Sequence, residues 1–348
     1  MDIKSIASKV SDKSLQETKV VEGRELHLDA DFLCYHVVDL GNTVAVNYQH
    51  MLRSIDYHRR KVGATHVNVM ITPDGKTARD KMATVKVYQD ERSKHRDPAV
   101  SHRVKELRNM LMQNGTVPNG VVVCSSLYEA DDLLCMYQYK TIGEKGVDKS
   151  VLMSGDKDLW MVKGLHADQD TGKITMYSGY GNTAYKEVGN VKPKLVGTST
   201  SWFWHQMIMG DKADNIPGLP ALSPRLADEY LPLKSSRRKP DSKPLAAGEA
   251  KAVAVLKGVT NDKEAAYRVW NCYREYYGEG YKEMFIEQAY LLWMQRSNDP
   301  EDLLNFLWET CNLAFTFTKR QQKVIDDFKK EIEKEDKNAI YCSYKRSR

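Results

Sequence analysis

No C-x-x-C pair occurs in this sequence, and its six cysteines (Cys34, Cys124, Cys135, Cys272, Cys311 and Cys342) are scattered along 348 residues. A zinc ribbon or a disulfide framework needs clustered thiols, so reduced, buried thiols are expected instead. The histidines are dispersed too, with no H-E-x-x-H or other ligand spacing, which disfavours a zinc centre. Also missing are G-x-S-x-G, a P-loop and G-x-G-x-x-G, the local signatures of serine hydrolases, nucleotide hydrolases and dinucleotide-binding enzymes. No apolar run approaches the roughly 18 residues that a membrane span needs. The polar, mixed-charge stretch 1–19 reads neither as a signal peptide nor as an amphipathic anchor. The expectation is a cytoplasmic protein (host cytoplasm, were it phage-encoded) with no membrane partner.

Net charge is only +5, from 52 basic and 47 acidic residues, an excess too small to identify a nucleic-acid partner by itself. Distribution says more. Cations crowd residues 76–108 and 234–243, while many acids fall at strand ends and helix starts. Carboxylates gathered in one place with cations around them suit a metal and a polyanion.

The first half alternates short apolar runs (24–28, 66–71, 120–124 and 150–153) with helical patterns (42–61, 99–113 and 128–142). That alternation predicts an α/β fold with a mostly parallel central sheet flanked by helices. Residues 173–177, after a turn, add a hairpin strand. From residue 200 the pattern becomes helical, with candidates at 201–209, 224–230, 248–256, 262–277, 281–295, 300–313 and 319–334. The stretch 231–245, with three prolines among basic and serine residues, reads as a loop. The organisation expected is an α/β core over 1–199, a helical region over 200–334 and a basic tail over 335–348. Trp202 and Trp204 read as packing residues rather than base-stacking platforms, and Trp270, Trp293 and Trp308 read as core.

Open α/β sheets bind ligands just outside the carboxyl ends of their strands. Every strand predicted in the first half leads into acids there. The first runs into Asp29 and Asp31, and the second into Asp74. The third is followed by Glu129, Asp131 and Asp132 at a helix start, and the fourth by Asp156 and Asp158. A further pair, Asp211 and Asp214, follows a helix. One acid in such a place is an ordinary cap. Four consecutive strand ends are different, because the topology brings them to one edge. Seven or more carboxylates there cannot all stay ionised without counter-charge. A hard divalent ion with oxygen ligands supplies it, and Mg²⁺ fits a site of carboxylates alone. Two such ions roughly 4 Å apart are a known solution for phosphodiester hydrolysis, with no nucleophilic Ser or Cys required.

The strings Tyr-Glu-Ala-Asp-Asp (128–132), Ser-Gly-Asp-Lys-Asp-Leu (154–159) and Met-Gly-Asp-Lys-Ala-Asp-Asn-Ile-Pro-Gly (209–218) resemble the 5′-nuclease superfamily. That superfamily includes flap endonucleases, the 5′-nuclease domain of bacterial DNA polymerase I and phage 5′→3′ exonucleases. Leu-Asp-Ala-Asp (28–31) is similar to its first acidic motif, and Asp74 lies where the second falls. Thr-Ser-Trp-Phe-Trp-His (200–205) and the chain length look most like the exonucleases of T7-like phages.

The resemblance covers about residues 24–231. It implies a metal-dependent 5′→3′ exonuclease or flap endonuclease acting on DNA 5′ ends, as a monomer, in phage replication or primer removal. One Mg²⁺ would be held by Asp29, Asp74, Glu129, Asp131 and Asp132, and a second by Asp156, Asp158, Asp211 and Asp214, with Mn²⁺ as a substitute. The resemblance further implies a helical arch over about 75–108, where Lys76, Arg79, Lys86, Tyr88, Arg92 and Lys94 would meet DNA. A helix–three-turn–helix with Lys212, Gly218, Ser223 and Arg225 would grip the duplex backbone, with a monovalent cation near Gly218. Two departures stand out. Gln89 replaces the arch lysine, leaving Arg79, Lys86 or Arg92 to supply its charge, and the Gly-x-Gly turn keeps only Gly218. The competing readings are an RNA-cutting ribonuclease with a related acidic site, and a non-catalytic clamp for branched DNA.

Overall fold

In the computed structural model, residues 18–73, 77–89, 97–188, 191–231, 243 and 245–336 are described. The first half forms β1 (Glu25–Asp29), α1 (Ala30–Val37), α2 (Val44–Lys61), β2 (His66–Met70), α3 (Ala78–Met82), α4 (Pro98–Asn114), β3 (Thr116–Val117), β4 (Gly120–Val123), α5 (Ala130–Lys145) and β5 (Ser150–Met153). A 3₁₀ turn (Lys157–Met161), β6 (Gly164–Ala167) and β7 (Ile174–Tyr177) come next. The strands make one seven-stranded sheet in the order β3-β4-β2-β1-β5-β6-β7. Its central pairs, β4 with β2, β2 with β1, β1 with β5 and β5 with β6, are parallel, and only the two edge pairs are antiparallel. The mostly parallel α/β sheet expected from the sequence is the one observed.

Because strand side chains alternate, neighbouring residues serve opposite faces. Val69 and Met153 join Leu26, Leu28, Met51, Ile55 and Leu107 in a core under α2 and α4. Met70 and Leu152 join a second core with Leu134 of α5 and, from the rest of the chain, Phe203, Trp204, Phe285, Trp293, Phe306 and Phe328. Full burial of each such side chain stabilises by roughly 1.5–3 kcal/mol, so the sheet and the later helices are tied by a shared interior.

The second half contains the hairpin β8 (Thr183–Val188) and β9 (Val191–Gly197), α6 (Thr200–Met209), β10 (Ala221–Leu222), α7 (Pro224–Tyr230), β11 (Leu245–Ala246), α8 (Glu249–Val255), α9 (Asp262–Tyr277), α10 (Tyr281–Leu292), α11 (Asp302–Glu309) and α12 (Lys319–Asp336). Several expectations need correction. The β8–β9 hairpin and α1 have no counterpart among the expected elements, and α10 ends three residues before 295. In α11, Leu303, Phe306 and Leu307 face the core, so Trp308 falls on the outer side and is 59% exposed rather than buried. Trp202 and Trp204 are buried, as expected. Cys34, Cys135, Cys272 and Cys311 are buried free thiols, as expected. The expected basic tail beyond Asp336 and nearly all of the loop 231–245 lie outside the described residues. Among the described residues, no helix is long and apolar enough to cross a membrane.

Candidate metal centre

The acids at the carboxyl edge are placed by local caps. Asp29 closes β1 and caps α1, its Oδ1 accepting from Phe32 N at 3.0 Å. Its Oδ2 accepts from Ser154 Oγ at 2.6 Å, across from β5, the neighbouring parallel strand. Ser154 Oγ in turn accepts from Asp156 N at 3.0 Å, and Asp156 caps the 3₁₀ turn by accepting from Asp158 N at 2.9 Å. Glu129 precedes α5, with Asp131 and Asp132 in its first turn, where exposed amide groups favour negative charge.

Asp211 and Asp214 sit on a tight loop after α6. Asp211 and Ile216 exchange backbone hydrogen bonds of 2.8 and 2.7 Å, and Asp211 Oδ1 accepts from Ala213 N at 2.8 Å. The loop closes where Gly218, at φ +64°, lies against Gly210; an added Cβ would stand 2.4 Å from the Gly210 nitrogen. Gly218→Ala therefore combines backbone strain with a backbone clash. It is expected to destabilise the protein by about 2 kcal/mol or more, read as a lower urea midpoint.

The carboxylates perturb one another. Asp158, Asp211 and Asp214 each place an oxygen within 4.8 Å of the other two. Burial, then Asp31 and Asp156, pushes Asp29 up to about 7 despite its hydrogen bond from Ser154. Burial, then Asp156, Asp29, Glu129 and Asp158, holds Asp131 well above the ordinary carboxylate range. Asp158 is raised too, by burial and by Asp156, Asp211 and Asp214, which outweigh Lys157. Asp211 is the exception: burial raises it, but Lys157 holds it below its usual value. Asp29, Asp31, Glu129, Asp131, Asp156, Asp158, Asp211 and Asp214 thus form one electrostatic cluster. Its donor set is oxygen only and short of positive charge, which fits a hard divalent ion.

Other expected site residues are placed differently. Arg79 is a buried cation rather than an arch residue offered to phosphate. It donates to Glu129 Oε2 at 2.9 Å, to Asp132 Oδ1 at 2.7 Å and to the Trp293 carbonyl at 2.8 Å. Asp132, expected at a metal, accepts on that same oxygen from Gln295 N at 3.0 Å. Tyr88, expected at DNA, is buried with its hydroxyl donating to Glu129 at 3.2 Å.

In the duplex-gripping segment, Gly218 N donates to Gln288 Oε1 at 2.9 Å, so this amide is already engaged inside the protein. Ser223 caps α7 and donates to Glu275. Arg225 pairs with Glu275 and Glu229, so its charge is answered within the protein. Lys86 and Lys212 are exposed. Asp74, Lys76, Arg92 and Lys94 lie outside the described residues. Sequence reasoning misses Ser154, Gln206 and Lys157, which contact the acids directly. It also misses Arg108, whose Nε lies 3.0 Å from Asp31 Oδ1. Lys157 stands inside a motif whose acids draw all the attention.

No protein-family model matches this sequence. Among solved structures, the bacteriophage T5 D15 flap endonuclease, in a pseudo-enzyme–product complex with DNA and metal ions, superposes with a TM-score of 0.52. The match spans 89% of this chain and 99% of that one at 14% identity. The chain has the flap-endonuclease fold. A T5 5′-exonuclease with bound zinc ions matches as well, at TM-score 0.49 and 15% identity, over 88% of this chain and 99% of that one. In this flap-endonuclease fold, the acidic cluster sits at the carboxyl edge of the central sheet, where open α/β sheets bind ligands.

Proposed function

We propose that the protein is a divalent-metal-dependent nuclease that hydrolyses DNA phosphodiesters from 5′ ends or at 5′ flaps. The observation carrying this reading is the gathering of carboxylates from separate elements into one cluster, in which burial and neighbouring acids raise the proton affinity of Asp29, Asp131 and Asp158. Asp29, Glu129 and Asp131, together with Asp74, would hold one ion. Asp156, Asp158, Asp211 and Asp214 would hold the second. A pair of divalent ions such as Mg²⁺, if held there, would supply Lewis acidity and positive charge for hydrolysis of a phosphodiester.

The chain's own residues fix the donors. Ser154 locks Asp29 to Asp156 across two strands, Arg79 and Tyr88 hold Glu129, and the Asp211–Ile216 bridge sets the loop of the last pair. Water as nucleophile would leave a 5′-phosphate on the product. Lys86 and Lys212 are exposed cations of the proposed DNA-facing segments and would meet a phosphate backbone.

The test is digestion of a duplex labelled at either end, in Mg²⁺ or in EDTA. Metal-dependent loss beginning at the 5′ end is expected, with Mn²⁺ able to replace Mg²⁺. Faster cutting of a matched RNA strand, or binding without cutting in any metal, would overturn the proposal.

A further inference from the structure

Lys157 lies beside Asp158 in the 3₁₀ turn, and its ammonium occupies a particular place. Nζ is 3.1 Å from Asp158 Oδ1 and also pairs with Asp211 Oδ2. Gln206 Nε2 donates to those same two oxygens, at 2.6 and 3.3 Å. Asp158 and Asp211 are two of the three acids whose oxygens converge closely enough to share an ion. An ammonium and a divalent cation would therefore seek the same donors, and their positive charges repel at that range.

The two side chains differ in freedom. Gln206 is sealed in the core at 1% exposure, whereas the Lys157 side chain is 30% exposed on a long flexible stem. Lys157 can swing towards solvent without disturbing the fold. Gln206 cannot, and it stays to orient both carboxylates.

We propose that Lys157 is an exchangeable counter-cation of the second metal position. It neutralises the Asp158–Asp211 pair and competes with the incoming ion for their oxygens, so the second position binds more weakly than the first. Lys157 acts here as a positioning residue that tunes metal affinity. The inference rests on reading the cluster as a two-metal centre.

Calorimetric Mn²⁺ titration of the full-length chain and its Lys157→Met variant, without DNA, tests it. Melting temperatures are measured in EDTA alongside. Two opposed effects are expected in the variant. The weaker Mn²⁺ site should tighten roughly tenfold or more, while the melting temperature in EDTA falls because three close carboxylates lose their counter-charge. Lys212→Met, which removes an equal charge from the exposed surface of the neighbouring loop, should shift Mn²⁺ affinity by less than about threefold.

If Lys157→Met does not fold in EDTA, Lys157→Arg replaces it. Arginine keeps the charge and grips both carboxylates, so the weaker site should stay weak, and tightening there would overturn the proposal. Unchanged Mn²⁺ affinity in Lys157→Met, or equal tightening in Lys212→Met, overturns it too while leaving the nuclease reading intact. Absence of any Mn²⁺ binding by the wild-type chain would instead overturn the two-metal reading itself.

Discussion

Asp131→Asn is expected to slow Mg²⁺-dependent DNA cleavage by about a thousandfold or more, with affinity for DNA changing less than about threefold. A thousandfold corresponds to roughly 4 kcal/mol of barrier, the scale on which charge stabilisation at phosphoryl centres acts. Asp131 suits this test because it feels Asp156, Asp29, Glu129 and Asp158 at once, whereas Asp29 also caps a helix.

The same variant should melt at a higher temperature in EDTA at pH 8, and the sign comes from linkage. The folded-state affinity of Asp131 for a proton is raised above its ordinary value of 3.8, so its ionised form destabilises the fold at high pH. That penalty shrinks as the pH falls and the folded protein takes up the proton, at up to about 1.4 kcal/mol per pH unit for one group. The gain from asparagine should therefore be largest near pH 8 and fade towards the ordinary carboxylate range. The readout is the difference between variant and wild type. His27 and His58, which are buried, and half-buried His166 are each pushed down to about 4 by desolvation, so they cost the fold stability as the pH falls through 6.5 and below, equally in both proteins. Full activity in Asp131→Asn would remove it from the proposed centre. A fall in its EDTA melting temperature at pH 8 would contradict the repulsion argument.

Arg79→Met is expected to lower the free energy of unfolding by roughly 3–5 kcal/mol, the range for breaking a buried ion pair from one side. The guanidinium is 4% exposed and lies among Glu129, Asp132 and the Trp293 carbonyl. Methionine would fill much of the space but leave Asp132 and the carbonyl without that donor. Urea unfolding reads the loss. Combining the change with Asp132→Leu should recover part of it, since the residues are in contact and their effects are not additive. A loss below about 1 kcal/mol would mean that Arg79 is the solvated surface cation suggested by its sequence neighbourhood.

That contrast shows where sequence reading succeeds and stops. The central strands are legible because Val67-Asn-Val-Met and Val151-Leu-Met are short apolar runs bounded by turns, and their parallel order puts the acids after them on one edge. Asp29, Glu129, Asp131, Asp156 and Asp158 can be placed together on topology alone. Arg79 cannot be read, because its partners are 50, 53 and 214 residues away, and nothing in a local cationic run marks which side chain turns inward. The short helix α1 is hidden because Asp29 both ends a strand and caps the helix after it. The β8–β9 hairpin buries little along its first strand, so it lacks the apolar alternation that announces strands. Lys157 is visible but easily misread, since a lysine between two acids looks like an ordinary surface pairing until a third acid is brought in from residue 211.

The shared second core has a consequence for the chain as it is made. Met70 and Leu152 belong to the sheet, yet the core they share includes Trp293, Phe306 and Phe328. At about 5–20 residues per second, roughly 10–35 seconds separate the synthesis of Leu152 from that of Phe328. Throughout that interval the nascent sheet can complete one face, under α2 and α4, while the other, packed by α5, still lacks the later helices that share its core. The newborn chain is therefore most exposed to self-association in this window, when its carboxylate edge is largely assembled and its aromatic cover has yet to leave the ribosome.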